Sequence, residues 1–123
     1  MSQPKKTLVL GASPNPSRFS YKAVIYLENQ GHPVIAAGKS AGSIGNTVIK
    51  TDSPAEADVD TLSLYLSPQN QKAEYEYILK TIRPKRIIFN PGAENPELIS
   101  MAQKAGIETV EDCTLVMLTR GTF

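Results

Sequence analysis

The 123-residue sequence has no tryptophan, a single cysteine and a single histidine, and its 13 basic side chains are nearly cancelled by 12 acidic ones. Each shortage removes a class of function. With Cys113 alone there is no intrachain disulfide, which fits a reducing cytosol. A formal net charge of +1 leaves no electrostatic footprint for duplex nucleic acid or an anionic membrane surface. No apolar run approaches the length of a bilayer span, and none long enough for a signal peptide follows Lys5-Lys6. The carboxylates Glu108, Glu111 and Asp112 cluster in sequence but lack a histidine partner or a recognised metal spacing, so no metal site is expected. A chain of this length fits one domain, residues 1–123, and can bury a core without staples. The expectation is a small cytoplasmic domain.

What is present is an alternation of short apolar runs with amphipathic segments. Residues 7–11 form a continuous apolar run ending in glycine, the pattern of a strand buried on both faces. Ser20 to Gln30 has helical spacing, with Ser20, Val24, Leu27 and Gly31 on one side and Ala23 beside them. Gly31 and Pro33 end it. Val34–Ala37 is a second strand, so the first thirty residues or so read as a βαβ unit with parallel neighbours. Residues 38–45 read as loop, and Thr47–Lys50 as a short edge strand. Ser53-Pro54-Ala55-Glu56 has the form of a capping box and predicts a brief helical turn.

Asp60 to Leu66 is the next strand, and Ser67-Pro68 opens a helix carrying Tyr75, Ile78, Leu79 and Ile82 at helical spacing. In it Tyr75 is expected in the core and Tyr77 on a flank. Arg86–Asn90 is a strand. Asn95-Pro96 starts a helix with Leu98, Ala102 and Ala105 inward and Gly106 at its end. Ile107–Val110 is the last strand, and Cys113–Leu118 adds a final short element. Together these predict an α/β fold with a doubly wound, mainly parallel, Rossmann-like sheet in a single domain. Ligands of such sheets bind beyond the carboxyl ends of the strands, where strand order reverses. That crevice is expected between the first strand and the strand ending at Leu66, with Gly11-Ala12-Ser13 facing Leu66-Ser67-Pro68.

The segment Gly11-Ala12-Ser13-Pro14-Asn15-Pro16-Ser17-Arg18 joins a buried strand to a helix start. Small residues there let backbone N–H groups approach an anion, and the helix adds its positive end. Arg18 and the hydroxyls of Ser13, Ser17 and Ser20 are further candidate phosphate contacts. The loop lacks the full G-x-G-x-x-G pattern, so an ordinary βα turn accounts for it about as well. After the second strand an NAD site carries an acidic residue for the ribose diol, whereas this chain has Lys39, which suits a phosphorylated ribose. NADP or coenzyme A fits better than NAD.

His32 lies in a Gly-His-Pro turn at the far end of the sheet, which argues against a catalytic role. The carboxylates of Glu111 and Asp112 raise rather than lower the pKa of the Cys113 thiol, so a structural thiol is favoured over a nucleophile. The stretch Asn90-Pro91-Gly92-Ala93-Glu94-Asn95 either lines the site or forms a well-capped turn.

Taken in order, several segments resemble small stand-alone CoA-binding proteins, themselves similar to the N-terminal domain of the succinyl-CoA synthetase alpha subunit. They are Gly11-Ala12-Ser13 with its prolines, Arg18, Ser20-Tyr21, Lys39, Tyr65-Leu66-Ser67-Pro68, the 89–95 stretch and Glu111-Asp112-Cys113. The resemblance implies a Rossmann-type domain holding CoA. Gly11, Ala12, Ser13, Arg18, Ser20 and Tyr21 would surround the diphosphate, Lys39 would contact the phosphorylated ribose or adenine end, and Leu66, Ser67 and Pro68 would form the opposite wall. One departure is the Ala37-Gly38 pair where the family often has Asn-Pro or Ser-Pro. The synthetase's phosphohistidine domain has no room in this chain, so non-covalent binding of CoA or an acyl-CoA, without catalysis, is expected. The alternative is a small NADP-dependent oxidoreductase using the same crevice, with Tyr21 or Tyr65 as proton donor.

Overall fold

In the computed structural model, which describes residues 3–123, the chain forms a seven-stranded sheet with helices on both faces. The strands are β1 (Thr7–Leu10), β2 (Val34–Ala37), β3 (Gly42–Ile44), β4 (Thr47–Lys50), β5 (Thr61–Leu64), β6 (Arg86–Phe89) and β7 (Glu108–Glu111). Their spatial order is β3-β4-β2-β1-β5-β6-β7. Every pairing is parallel except that of β3 with β4. The helices are α1 (Phe19–Asn29), α2 (Pro68–Gln71), α3 (Pro96–Lys104) and α4 (Thr114–Arg120). Beyond α2 the chain stays coiled through a 3₁₀ turn at Lys72–Glu74 and a π-helical segment at Tyr77–Ile82.

Alternation along the strands divides the interior into two layers. Leu8, Leu10, Leu62, Leu64, Ile87 and Phe89 pack with Ile78, Ile82, Leu98 and Ala102 on one face. Val9, Ala36 and Ile49 pack with Val24, Leu27 and Leu118 on the other. Strands covered on both faces are mainly apolar, and β1, β5 and β6 are buried at every position, with Ser63 and Arg86 hydrogen-bonded where polar side chains occur. In α1 the buried residues are Ser20, Ala23, Val24 and Leu27, as helical spacing predicts.

Four local expectations change. Residues 42–44, read as loop, form β3, which folds back on β4 through a turn at Gly45. Ser53 starts no helix, because its backbone is left-handed (φ 51°) whereas a helix cap needs the extended region. Glu56, the other half of that supposed capping box, reaches Lys6 at 3.1 Å instead. Ala105 is exposed, being the residue that caps α3 after Leu98 and Ala102 have faced inward. Tyr75 and Tyr77 are both half-buried, their hydroxyls bonded to Glu97 at 2.9 Å and to the Pro54 carbonyl at 2.6 Å.

At the amino ends of the strands, opposite the ligand side, His32 Nδ1 accepts the Lys5 N–H at 2.9 Å and its ring meets Phe123 edge-on. That acceptor role requires the neutral imidazole. Burial, then the charges of Lys5 and Arg86, hold its pKa below the usual 6.5, with Asp60 opposing. A lowered pKa means the folded state binds fewer protons than the unfolded one. His32 thus contributes stability above pH 6.5 that is lost as pH falls through its folded pKa. The melting temperature should drop between pH 7.5 and pH 5 by more in the native protein than in His32→Asn, which keeps an acceptor without titrating; identical drops would exclude this origin.

Candidate functional site

Strand order reverses at β1, from which the chain first builds outward through β2 and later returns to β5 on the other side. Loops leaving the carboxyl ends of adjacent strands therefore part company there, and a crevice opens between them. A cleft of about 580 Å³ occupies this place. That lies within the size range of small-molecule sites.

One wall is built at the ends of β1, β2 and β4, from Gly11, Ala12, Ser13, Gly38, Lys39 and Lys50. The other comes from Leu66 and the helical stretch after β5, with Gln69, Asn70, Ala73 and Glu74. Of the candidate residues, Gly11, Ala12, Ser13, Lys39 and Leu66 are thus brought together. Arg18, Ser20, Tyr21, Ser67 and Pro68 do not line this cleft. Arg18 is exposed at the start of α1, Ser20 is buried on its inward face, and Tyr21 packs against the Val9 layer. Ser67 and Pro68 form the first turn of α2, where the Ser67 hydroxyl accepts from Asn70 Nδ2 at 3.1 Å.

The first loop is held by its own hydrogen bonds. Gly11 N–H and Ala12 N–H both donate to the Ala37 carbonyl at 2.9 Å. These two N–H groups, expected as an anion cradle, are already engaged in locking the first loop to the end of β2. Further on, Asn15 Oδ1 accepts from the backbone and hydroxyl of Ser17 at 3.0 and 2.8 Å. The turn delivers the chain to α1 with no side-chain cap at Arg18, so the first-turn N–H groups of that helix keep their positive end open.

Gly38 explains the departure at residue 38. A β-carbon there would overlap the Ala12 carbonyl oxygen, so only glycine permits the close approach of the two loops. Gly11, at φ 95°, has Leu66 and Tyr65 around the corresponding position, joining the first loop to the opposite wall.

Charge is unevenly distributed over the cleft. Its cations, Lys39 and Lys50, lie on the β2–β4 side, and its one carboxylate, Glu74, on the other. Lys39 makes no ion pair with the described residues, and Lys50 has only Glu56, at 3.8 Å. Lys50 was missed by sequence reasoning. The available signal was its place as the last residue of a strand; what brings it to the site is the parallel pairing of β4 with β2, with Lys50 opposite Ala37.

The stretch after β6 does not line the cleft. Asn90, 1% exposed, donates through Nδ2 to Ser63 Oγ and the Leu64 carbonyl, both at 3.0 Å, and accepts the Thr114 N–H at 2.8 Å. Asn95 caps α3, accepting from the N–H groups of Glu97 and Leu98. Of the two earlier readings, the capped turn is the one observed. Beside Ser63 and Thr114 the Tyr65 hydroxyl is buried without a well-formed partner. Burial pushes its pKa up to about 12, against the pull of those two hydroxyls, so it stays a neutral phenol. Among the described residues no His, Cys, Asp and Glu cluster could hold a metal, and no helix is long and apolar enough to cross a membrane.

Comparison with known proteins adds the chemical identity that geometry leaves open. A solved structure described as an uncharacterized protein is 48% identical, with a TM-score of 0.96 over 99% of this chain and 100% of that one. A hypothetical protein from Pyrococcus horikoshii OT3 is 22% identical, with a TM-score of 0.84 over 96% of this chain and 84% of the other. A protein from Thermus thermophilus is 23% identical, with a TM-score of 0.80 over 97% and 91% of the two chains. These last two establish the likeness of fold alone. No curated protein matches. The family described as the CoA binding domain matches residues 5–119, nearly the whole length, and the chain belongs to that family.

Proposed function

We propose that this protein holds coenzyme A or an acyl-CoA non-covalently in the cleft at the β1–β5 crossing, as a cytoplasmic binding protein without catalysis of its own. The observation carrying this reading is the cleft itself: in a CoA-binding family member, Gly11, Ala12, Ser13, Lys39 and Leu66 meet where an α/β sheet takes its ligands. The diphosphate lies between Ser13 and the open first turn of α1, with Arg18 exposed beside it, while Ser20 and Tyr21 anchor that turn from its inward side. Two contacts fit a dianionic group there: the helix dipole and the Arg18 charge. Lys39 takes the phosphorylated ribose. Leu66, with Ser67 and Pro68 behind it, forms the wall facing the first loop.

Lys39→Ala should weaken CoA roughly tenfold, the scale of one lost charge-assisted contact, and dephospho-CoA much less. Calorimetric titration of both ligands checks this; equal losses would remove Lys39 from the ribose phosphate. Titration with NADPH under identical conditions should give much weaker binding than CoA. Tighter binding of NADPH would favour a reductase instead.

A further inference from the structure

We propose that Lys50 is a second specificity-determining cation of the cleft, which together with Lys39 reads the extra phosphate on the ribose of a phosphorylated adenine nucleotide. This rests on the CoA reading of the same cleft and assigns it a discriminating residue.

The placement follows from the sheet. Lys50 ends β4, its α-carbon paired with that of Ala37, and its carbonyl accepts the Gly38 N–H at 3.0 Å. The residue after Gly38 is Lys39. Two lysines therefore rise from neighbouring strand ends onto one wall of one cleft. Both side chains are exposed, so the two charges add to the positive potential of that wall.

The fold compensates these charges only weakly. Lys39 has no ion pair among the described residues. The 3.8 Å separation of Lys50 from Glu56 is well beyond a charge-assisted hydrogen bond, and Glu56 lies closer to Lys6, at 3.1 Å. The facing wall carries Gln69, Asn70 and Glu74 and no cation. Potential thus rises toward the β2–β4 side, and concave, low-dielectric walls focus it there.

Charge matching identifies the group that belongs at that end. A phosphomonoester carries about −1.5 to −2 charges at pH 7, whereas each phosphate of a diphosphate diester carries one. One lysine leaves a monoester partly unneutralised; two match it. Gln69, Asn70 and Glu74 across the cleft suit neutral donors such as ribose hydroxyls or a base amine.

The test is calorimetric titration of the full chain with CoA and with dephospho-CoA, which differ by that monoester alone. Lys50→Ala should weaken CoA roughly tenfold and dephospho-CoA less than twofold, while Lys50→Arg retains most of the preference. In Lys50→Ala/Glu56→Gln the CoA-specific loss should persist, because it does not arise from a carboxylate set free beside the ligand. Equal losses for both ligands, no loss for either, or a loss that vanishes when Glu56 is neutralised would overturn the assignment and leave the CoA reading standing. If the unaltered chain binds neither ligand, the CoA reading falls, and the assignment with it.

Discussion

Gly38→Ala is expected to abolish CoA binding and to destabilise the fold by on the order of 3 kcal/mol, the upper part of the usual range for overpacking. The new methyl group would meet the Ala12 carbonyl oxygen, a backbone atom with no rotamer by which to escape. Retreat is blocked on both sides. Gly38 N–H is tied to Lys50, and the Ala37 carbonyl holds both Gly11 and Ala12. Relief of the clash therefore requires these bonds to break, and the two loops that make one wall of the cleft to separate. Urea unfolding measures the stability, and calorimetry the binding. A variant as stable as the native protein, binding CoA equally well, would show that the loops can shift without cost.

Asn90→Leu is expected to cost roughly 2–3 kcal/mol, since buried polar groups lose their partner without water to replace it. The substitution keeps the branched shape and the number of heavy atoms, and removes all three side-chain hydrogen bonds. The Thr114 N–H in the first turn of α4 is left without an acceptor, and the Ser63–Thr114 hydroxyl pair, at 2.8 Å, loses its third member. Because these bonds fasten α4 to the sheet, hydrogen exchange should speed up in α4 before it does in β5. Asn90→Asp should be worse still, as it keeps the acceptor but loses the donor and buries a charge. If Asn90→Leu left both stability and exchange unchanged, the network would be dispensable. CoA affinity is expected to change little in Asn90→Leu at temperatures where the protein remains folded, because Asn90 does not line the cleft.

The contrast between Asn90 and Lys50 marks how far the amino-acid order could be read. Asn90 stands at a strand's carboxyl end, where ligand contacts are common, and its position alone does not distinguish an exposed amide from a buried one. Burial follows from α4 closing over the end of β6, a contact between segments 24 residues apart. Lys50 ends β4, a polar-looking segment expected at the edge of the sheet that lies instead between β3 and β2. The hairpin that turns β4 back beside β2 begins with Gly42-Ser43-Ile44, three residues with too little apolar alternation to signal a strand. Ser53 failed for a related reason: its side chain and the following proline suit a helix cap, but the left-handed backbone at that residue forbids one.

The sequence by itself determined the α/β class, the parallel core and the end of the sheet at which the cleft opens. Those features depend on local periodicity and on the fixed handedness of strand–helix–strand connections, which operate within some thirty residues. The tertiary structure decided which strand ends share the cleft, which loop N–H groups are already engaged, and that two lysines stand on one wall. Those depend on pairings between distant segments, where one register places Lys50 opposite Ala37 and no local preference anticipates it.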